Sequence, residues 1–215
     1  MRYFIKSWVY LLFFSLSFDP LVYAQLGPYH GRVIDAETKQ PIIDAAVLAI
    51  WQQRAPAPHP IITYHDALET LTDLNGNFTI PGMVGVPTDP NAVIDEPRFT
   101  IFKPGYEAVG GRRLKPVPLA VQEDLKVKDN VYEQNGIIVV ELKRLTTREE
   151  RLSNLRTLSS FSSCLPAEIA ARLNSPTGLP YCIPEEKHLN LIRLRDIEEE
   201  SVGLTPRRPR NGGQK

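Results

Sequence analysis

The sequence predicts a mainly β protein, an antiparallel sandwich of short strands over residues 28–145 followed by a helical extension over 146–201. Three observations predict it. Short β-prone apolar runs recur along the first two-thirds of the chain, separated by Gly, Pro, Asn and Asp turns. The prolines, 19 in all, fall mostly between those runs rather than inside them. Beyond Leu145 the pattern changes to leucines at helical spacing behind a capping signature.

Residues 1–24 read as a signal peptide. Arg2 and Lys6 supply a positive start, Trp8 to Phe18 is an uncharged run of eleven, and Asp19-Pro20 breaks it. Val22-Tyr23-Ala24 places small residues where a signal peptidase reads. The run is shorter than the roughly 20 apolar residues a spanning helix needs. Export to the periplasm, the cell envelope or the medium is therefore expected, with an uncleaved anchor as the alternative and the only expected membrane contact.

Gly31 to Asp35 reads as a first strand, and the polar stretch Ala36 to Pro41 as a turn. Ala45 to Trp51 is a second strand, and Gln52 to Pro60, with three prolines, a loop. Ile61 to His65 and Glu69 to Thr72 follow as strand segments. Asn75-Gly76 is read as the strongest tight-hairpin signal, leading into Phe78-Thr79-Ile80. Residues 83–97 form a long loop with Pro87, Pro90 and Pro97. In Arg98 to Phe102, Phe99 and Ile101 face one way. Gly110-Gly111, Pro116 and Pro118 argue for loop over most of 107–135, with a short strand near Leu119. Gly136 to Leu145 is the last strong strand.

Thr146-Thr147-Arg148-Glu149-Glu150 holds two overlapping Thr-x-x-Glu patterns, a helix-start signature. Leu152, Leu155 and Leu158 continue it on one face. Further helices are expected over Pro166 to Leu173 and Glu185 to Glu200, the last with Leu191, Leu194 and Ile197 as its stripe. Glu185 and Glu186 suit a helix start, whereas Glu198 to Glu200 oppose the dipole at its end. The basic, Pro/Gly-rich residues 202–215 are expected to be disordered.

Formal charge balances at zero, so no general basic field invites nucleic acid. Cys164 and Cys182 are the two cysteines, and in an oxidising compartment they would pair. A bridge closing that loop would stabilise by about 3 kcal/mol. Two separate buried thiols are the alternative.

Gly31-x-Val33-x-Asp35-x-x-Thr38-x-x-Pro41-Ile42-x-x-Ala45-x-Val47 resembles the opening of the carboxypeptidase regulatory-like domain. Thr70-x-Thr72-Asp73-x-Asn75-Gly76-x-Phe78-x-Ile80-Pro81-Gly82 resembles its central hairpin, and Phe99-x-Ile101-x-Lys103-Pro104-Gly105-Tyr106 its later strand and turn. The pieces occur in the family's order over residues 31–106, extending toward 145. The resemblance implies a seven-stranded transthyretin-like sandwich, mostly non-catalytic, found alongside peptidases, outer-membrane receptors and surface proteins. It makes the motif residues structural: Gly76 for the turn, Phe78 for the core, Asp35 and Thr38 for the first turn. The chain departs from the family in a proline-rich insertion over 48–69, in the long loop 83–97 and in the helical tail.

No histidine is followed three residues later by Glu, as a zinc carboxypeptidase site requires. An iron site of two Tyr and two His could draw on Tyr64, His65, His59, Tyr106 and Tyr132, but no closely spaced His pair accompanies them. Asp73-x-Asn75-Gly76 lacks the later bidentate Glu of a calcium loop. No catalytic residue, metal or cofactor is therefore expected. The leading expectation is a binding or structural module of the envelope that presents loops 52–60 and 83–97 to a protein or a glycan. Trp51 and Tyr64 would flank that surface, although the place of Trp51 in an apolar strand favours core packing for it, and Arg112 and Arg113 form a basic cluster within reach of an acidic partner. The competing expectations are an accessory subunit docking through its C-terminal helices and an enzyme with an unfamiliar site.

Overall fold

The computed structural model describes residues 25–56, 61–114, 130–158 and 183–206. The expected leader, the two cysteines, the strand near Leu119, the helix over 166–173 and the residues from Arg207 onward lie outside them.

The described strands are β1 (Gln25–Leu26), β2 (Tyr29–Asp35), β3 (Ala46–Ala55), β4 (Ile61–Leu71), β5 (Asn77–Ile80), β6 (Met83–Val84), β7 (Val93–Ile94), β8 (Arg98–Phe102), β9 (Val109–Arg112), β10 (Val131–Gln134) and β11 (Ile137–Leu142). They build two main sheets, the first in the order β10-β11-β2-β5 and the second β4-β3-β8-β9, with β7 also on β3. β1 and β6 form a separate two-residue ladder. The predominance of β structure follows the sequence reading, but the antiparallel expectation needs correction. β2 and β11 run parallel, with Val33 opposite Val140, so the first sheet is mixed. Side-chain periodicity alternates identically in both directions, so it carries no information about strand polarity.

The inner faces of the two sheets share one core. Val33, Phe78, Ile80, Val131, Val140 and Leu142 of the first sheet meet Val47, Ala49, Trp51, Phe99, Ile101 and Val109 of the second. A second core lies on the outer face of the second sheet. There Ala46, Leu48, Ile50, Ala67 and Phe102 pack against Leu155, Leu158, Ile183, Leu191, Leu194 and Val202. The contributing helices are α1 (Arg148–Leu158) and α2 (Leu189–Ser201). β3 and β8 are therefore buried on both faces, which explains why Ala46 to Trp51 is unbroken by any polar residue.

Several boundaries move. The region 52–60 is not an open loop. β3 continues to Ala55 and pairs with β4 as far as Ala55 opposite Ile61, so the described part of the insertion is a two-stranded arm. Asn75-Gly76 does make a turn, closed by Gly76 N–H to Asp73 O at 2.9 Å, but the strands it joins do not pair. It carries the chain from β4 in one sheet to β5 in the other, and only Gly76 of the two adopts positive φ. The tight hairpin is Asn135-Gly136, where both residues have positive φ (53° and 76°) between β10 and β11. β9 runs through Gly110-Gly111, which the sequence reading left in a loop.

Thr147 caps α1, accepting the amide of Glu150 at 3.2 Å while the Glu150 carboxylate accepts the amides of Thr146 and Thr147. The last helix begins at Leu189, not Glu185. Glu185–Lys187 form a separate single 3₁₀ turn, and His188 at φ −148° interrupts the path. The start of α2 is held from a distance instead, since Glu69 on β4 accepts the amides of Asn190 (2.8 Å) and Leu191 (2.7 Å). Residues 202–204, expected to be disordered, close the helix. The Leu204 amide donates to Glu199 O, and Val202 is buried in the outer core.

Candidate functional site

Two arrangements gather the residues of interest, a polar cluster beside the first turn and a strand arm at the far end of the second sheet. The cluster forms where two separate motif pieces, the first turn and the turn after β8, meet the chain beyond β11. Asp35, at the end of β2, is 3% exposed. One carboxylate oxygen accepts the amides of Glu37 and Thr38, both at 2.9 Å. The other accepts the Tyr106 hydroxyl at 3.1 Å and Arg144 Nη2 at 3.3 Å. Arg144 also donates to the Tyr106 oxygen at 2.8 Å, and its guanidinium carbon lies 5.2 Å from the ring centre. The Thr38 amide above all, helped by these other donors, holds the Asp35 carboxyl down to about 2. Burial and the adjacent carboxylate push the Tyr106 hydroxyl up.

Such a cluster has little left to offer chemistry. The aspartate is engaged by four donors and the tyrosine by both neighbours, so neither is free to act as base or nucleophile. Its geometry is that of a clamp, tying the first turn (Asp35, Thr38) to the turn after β8 (Tyr106) and to the chain beyond β11 (Arg144). Arg144 is the residue the sequence reading missed. It follows an apolar strand with no motif of its own, and only its isolated bridge to Tyr106 brings it into place.

The tyrosines considered for a metal do not converge. Tyr64 reaches Asp66 at 3.5 Å, Tyr106 reaches Asp35, and Tyr132 reaches Glu141 at 2.9 Å. Among the described residues no group of three His, Cys, Asp or Glu side chains is placed to hold a metal. Asp73 accepts the amides of Asn75 and Asn77 within its own turn, which draws its carboxyl below the ordinary range. A cleft of about 300 Å³ beside α1 is lined by Glu107, Lys143, Glu150, Ser153 and Asn154. Glu150 there is engaged as the helix cap, and Asn154 bonds the backbone of Tyr106 and Ala108.

The arm comprises the second half of β3, the first half of β4, and β7. The loop 83–97 is stitched along it. Gln53 donates to the Thr88 hydroxyl and accepts the Thr88 amide, Arg54 pairs with Asp95, and the Asp95 amide donates to Gln52 O at 2.8 Å. β7 adds ladder pairs to Gln53 and Arg54. A bulge between Trp51 and Gln52 leaves His65 unmatched and sets the arm off from the body of the sheet. Three large aliphatic residues remain exposed on it: Ile61 (57%), Val86 (62%) and Val93 (65%).

The surface residues read from sequence are redistributed. Trp51 leaves the partner surface and takes the core place its apolar strand favours: it is fully buried, 6.4 Å from the Tyr29 ring, as the last inward residue before the bulge. Tyr64 is half-buried, packed against the outer core near the start of α2. Arg112 ends β9 and donates to Asn130 Oδ1 at 3.0 Å, while Arg113 is exposed just beyond it. These four therefore form no common surface. No helix among the described residues is long and apolar enough to cross a membrane. Comparison with protein-family models, with curated proteins and with solved structures finds no match to the chain.

Proposed function

We propose that the chain is an exported, non-catalytic binding module of the cell envelope, built on a transthyretin-like sandwich of the carboxypeptidase regulatory-like kind, and that its partner is a protein. One observation carries this reading. The arm is held rigid by paired backbone and side-chain contacts, yet exposes Ile61, Val86 and Val93. A rigid arm loses little entropy on binding, and uncovered aliphatic groups along it are what a protein partner would bury. Among the described residues, Trp51 is in the core and Tyr64 is half-buried, so the arm offers a glycan less aromatic surface than it offers a protein aliphatic surface.

The alternative of docking through the C-terminal helices is less favoured. Leu155, Leu158, Leu191 and Leu194 are already buried on the chain's own sheet. The resemblance to the carboxypeptidase regulatory-like domain gains support from the meeting of Asp35 and Thr38 of its first piece with Tyr106 of its last.

The test is cross-linked recovery of the tagged full chain from envelope fractions, beside a Val93→Asp, Ile61→Asp variant. The reading predicts one reproducible protein partner that the variant fails to recover while its thermal unfolding stays unchanged. Equal recovery by both forms, or a measurable multiple turnover by the purified chain, would overturn it.

A further inference from the structure

A second feature, distinct from the arm, lies at the opposite end of the second sheet. There α2 crosses the ends of β4 and β8 and leaves a cleft of about 410 Å³. Leu71, Pro104, Leu194 and Ile197 supply its apolar surface, and Lys103, Arg193 and Asp44 its charges. The volume falls within the range of small-molecule sites, roughly 300–1,000 Å³.

Its walls are fixed on both sides. One end of α2 is held by Glu69, which accepts the Asn190 and Leu191 amides. The other is held by Glu198, which accepts Arg151 Nε and Nη2 at 2.7 and 2.6 Å and the Gly105 amide at 3.0 Å. The second contact ties the Pro104-Gly105 turn to the helix, so the facing walls cannot drift apart independently. The cleft is therefore preformed, which lowers the cost of filling it.

Its chemistry is unbalanced in one direction. Ile197 continues the stripe of Leu191 and Leu194, yet it is 44% exposed where Leu194 is 9% exposed. The Lys103 ammonium is steadied by Ile43 O at 2.7 Å, which uses one of its three protons. Neither Lys103 nor Arg193 has an ion-pair partner among the described residues. Two cations without an ion-pair partner, against the single carboxylate of Asp44, beside an uncovered aliphatic wall match an apolar body that bears a carboxylate, because guanidinium and ammonium donors both favour that anion. We infer that this cleft is a binding site for a small apolar carboxylate. Asp44, on the same wall, offers a partner for an ammonium group if the carboxylate belongs to an amino acid; a fatty acid would leave it unused.

Titration of the isotopically labelled full chain by NMR tests this, with octanoate and phenylalanine as the two carboxylates and octanamide as the neutral control. The expected result is saturable binding of at least one carboxylate, with shifts at Leu71, Leu194 and Ile197. Octanamide should bind at least tenfold more weakly than octanoate if octanoate is the ligand. Arg193→Glu should weaken binding tenfold or more and leave the unfolding midpoint unchanged, since its side chain is exposed. Tighter binding of phenylalanine, lost in Asp44→Asn, would assign the carboxylate to an amino acid. Tighter binding of octanoate, indifferent to Asp44→Asn, would assign it to a fatty acid. Absence of saturable binding by either, shifts elsewhere on the protein, or full affinity in Arg193→Glu would overturn the inference.

Discussion

Asp35 shows how much of this fold rests on a single carboxylate. It accepts from two amides, a phenol and a guanidinium, and it is 3% exposed. Asp35→Ala strands those donors and is expected to cost about 2 kcal/mol or more, measured by denaturant unfolding. Because its folded carboxyl sits at about 2 against an ordinary 3.8, the unfolded chain takes up the proton first as pH falls. The stability it contributes is full above about pH 4 and is lost toward pH 2. His188, 4% exposed with its Nδ1 2.9 Å from Pro184 O, is pushed below its ordinary 6.5 chiefly by burial. Its contribution is full above that value and declines as pH falls through it. The urea midpoint should therefore fall in two acid stages, and His188→Asn should remove only the upper one. Gly31 is a third such residue. A Cβ there would lie 2.4 Å from the Phe78 ring and 2.9 Å from Ile138 O. Gly31→Ala is expected to destabilise by about 1–3 kcal/mol, read from the same unfolding curves. Sequence alone shows Gly31, Asp35 and Phe78 as motif positions. It does not show that Gly31 and Phe78 are one contact, since they are opposed only by the β2–β5 register.

At the level of elements, the two helices are joined to each other by an ion pair and to the turn after β8 by a backbone hydrogen bond, not by apolar contact alone. Glu198 is fully buried, bridging Arg151 of α1 and the Gly105 amide. This accounts for an acid that opposes the dipole of its own helix: the loss near a helix end is offset by a bidentate guanidinium. Glu198→Ala leaves the partly buried Arg151 guanidinium with only the Ser201 hydroxyl to donate to and strands the Gly105 amide, and is expected to cost about 2–3 kcal/mol. A double replacement, Glu198→Leu with Arg151→Met, should recover most of that loss in chemical denaturation. If the double variant is as unstable as the single one, the pair is not the source of the effect. Elements were legible where local signals act locally, as with the Thr147–Glu150 cap. They were misread where one signal served two uses. Asn75-Gly76 and Asn135-Gly136 are the same dipeptide, yet the first turns a corner between sheets and only the second closes a hairpin. Which it does depends on whether the flanking strands share a sheet, and that is settled by long-range packing.

The whole molecule, over its described residues, has three layers: a mixed sheet, a second sheet buried on both faces, and a helical cover. The strand-rich composition and the change of pattern after Leu145 were visible in sequence because alternation and helical spacing are local. The parallel β2–β11 pair was not, and neither was the assignment of Leu48 and Val47 to opposite cores, because both depend on which surfaces meet. Methyl-edited NMR on the full chain measures that assignment directly. The account predicts cross-peaks from Leu48 to the Leu191 and Leu194 methyls, and from Val47 to the cluster of Val33, Val140 and Leu142. Helix methyls that see neither Leu48 nor Ala46, or Leu48 in contact with Val33 and Val140, would contradict it.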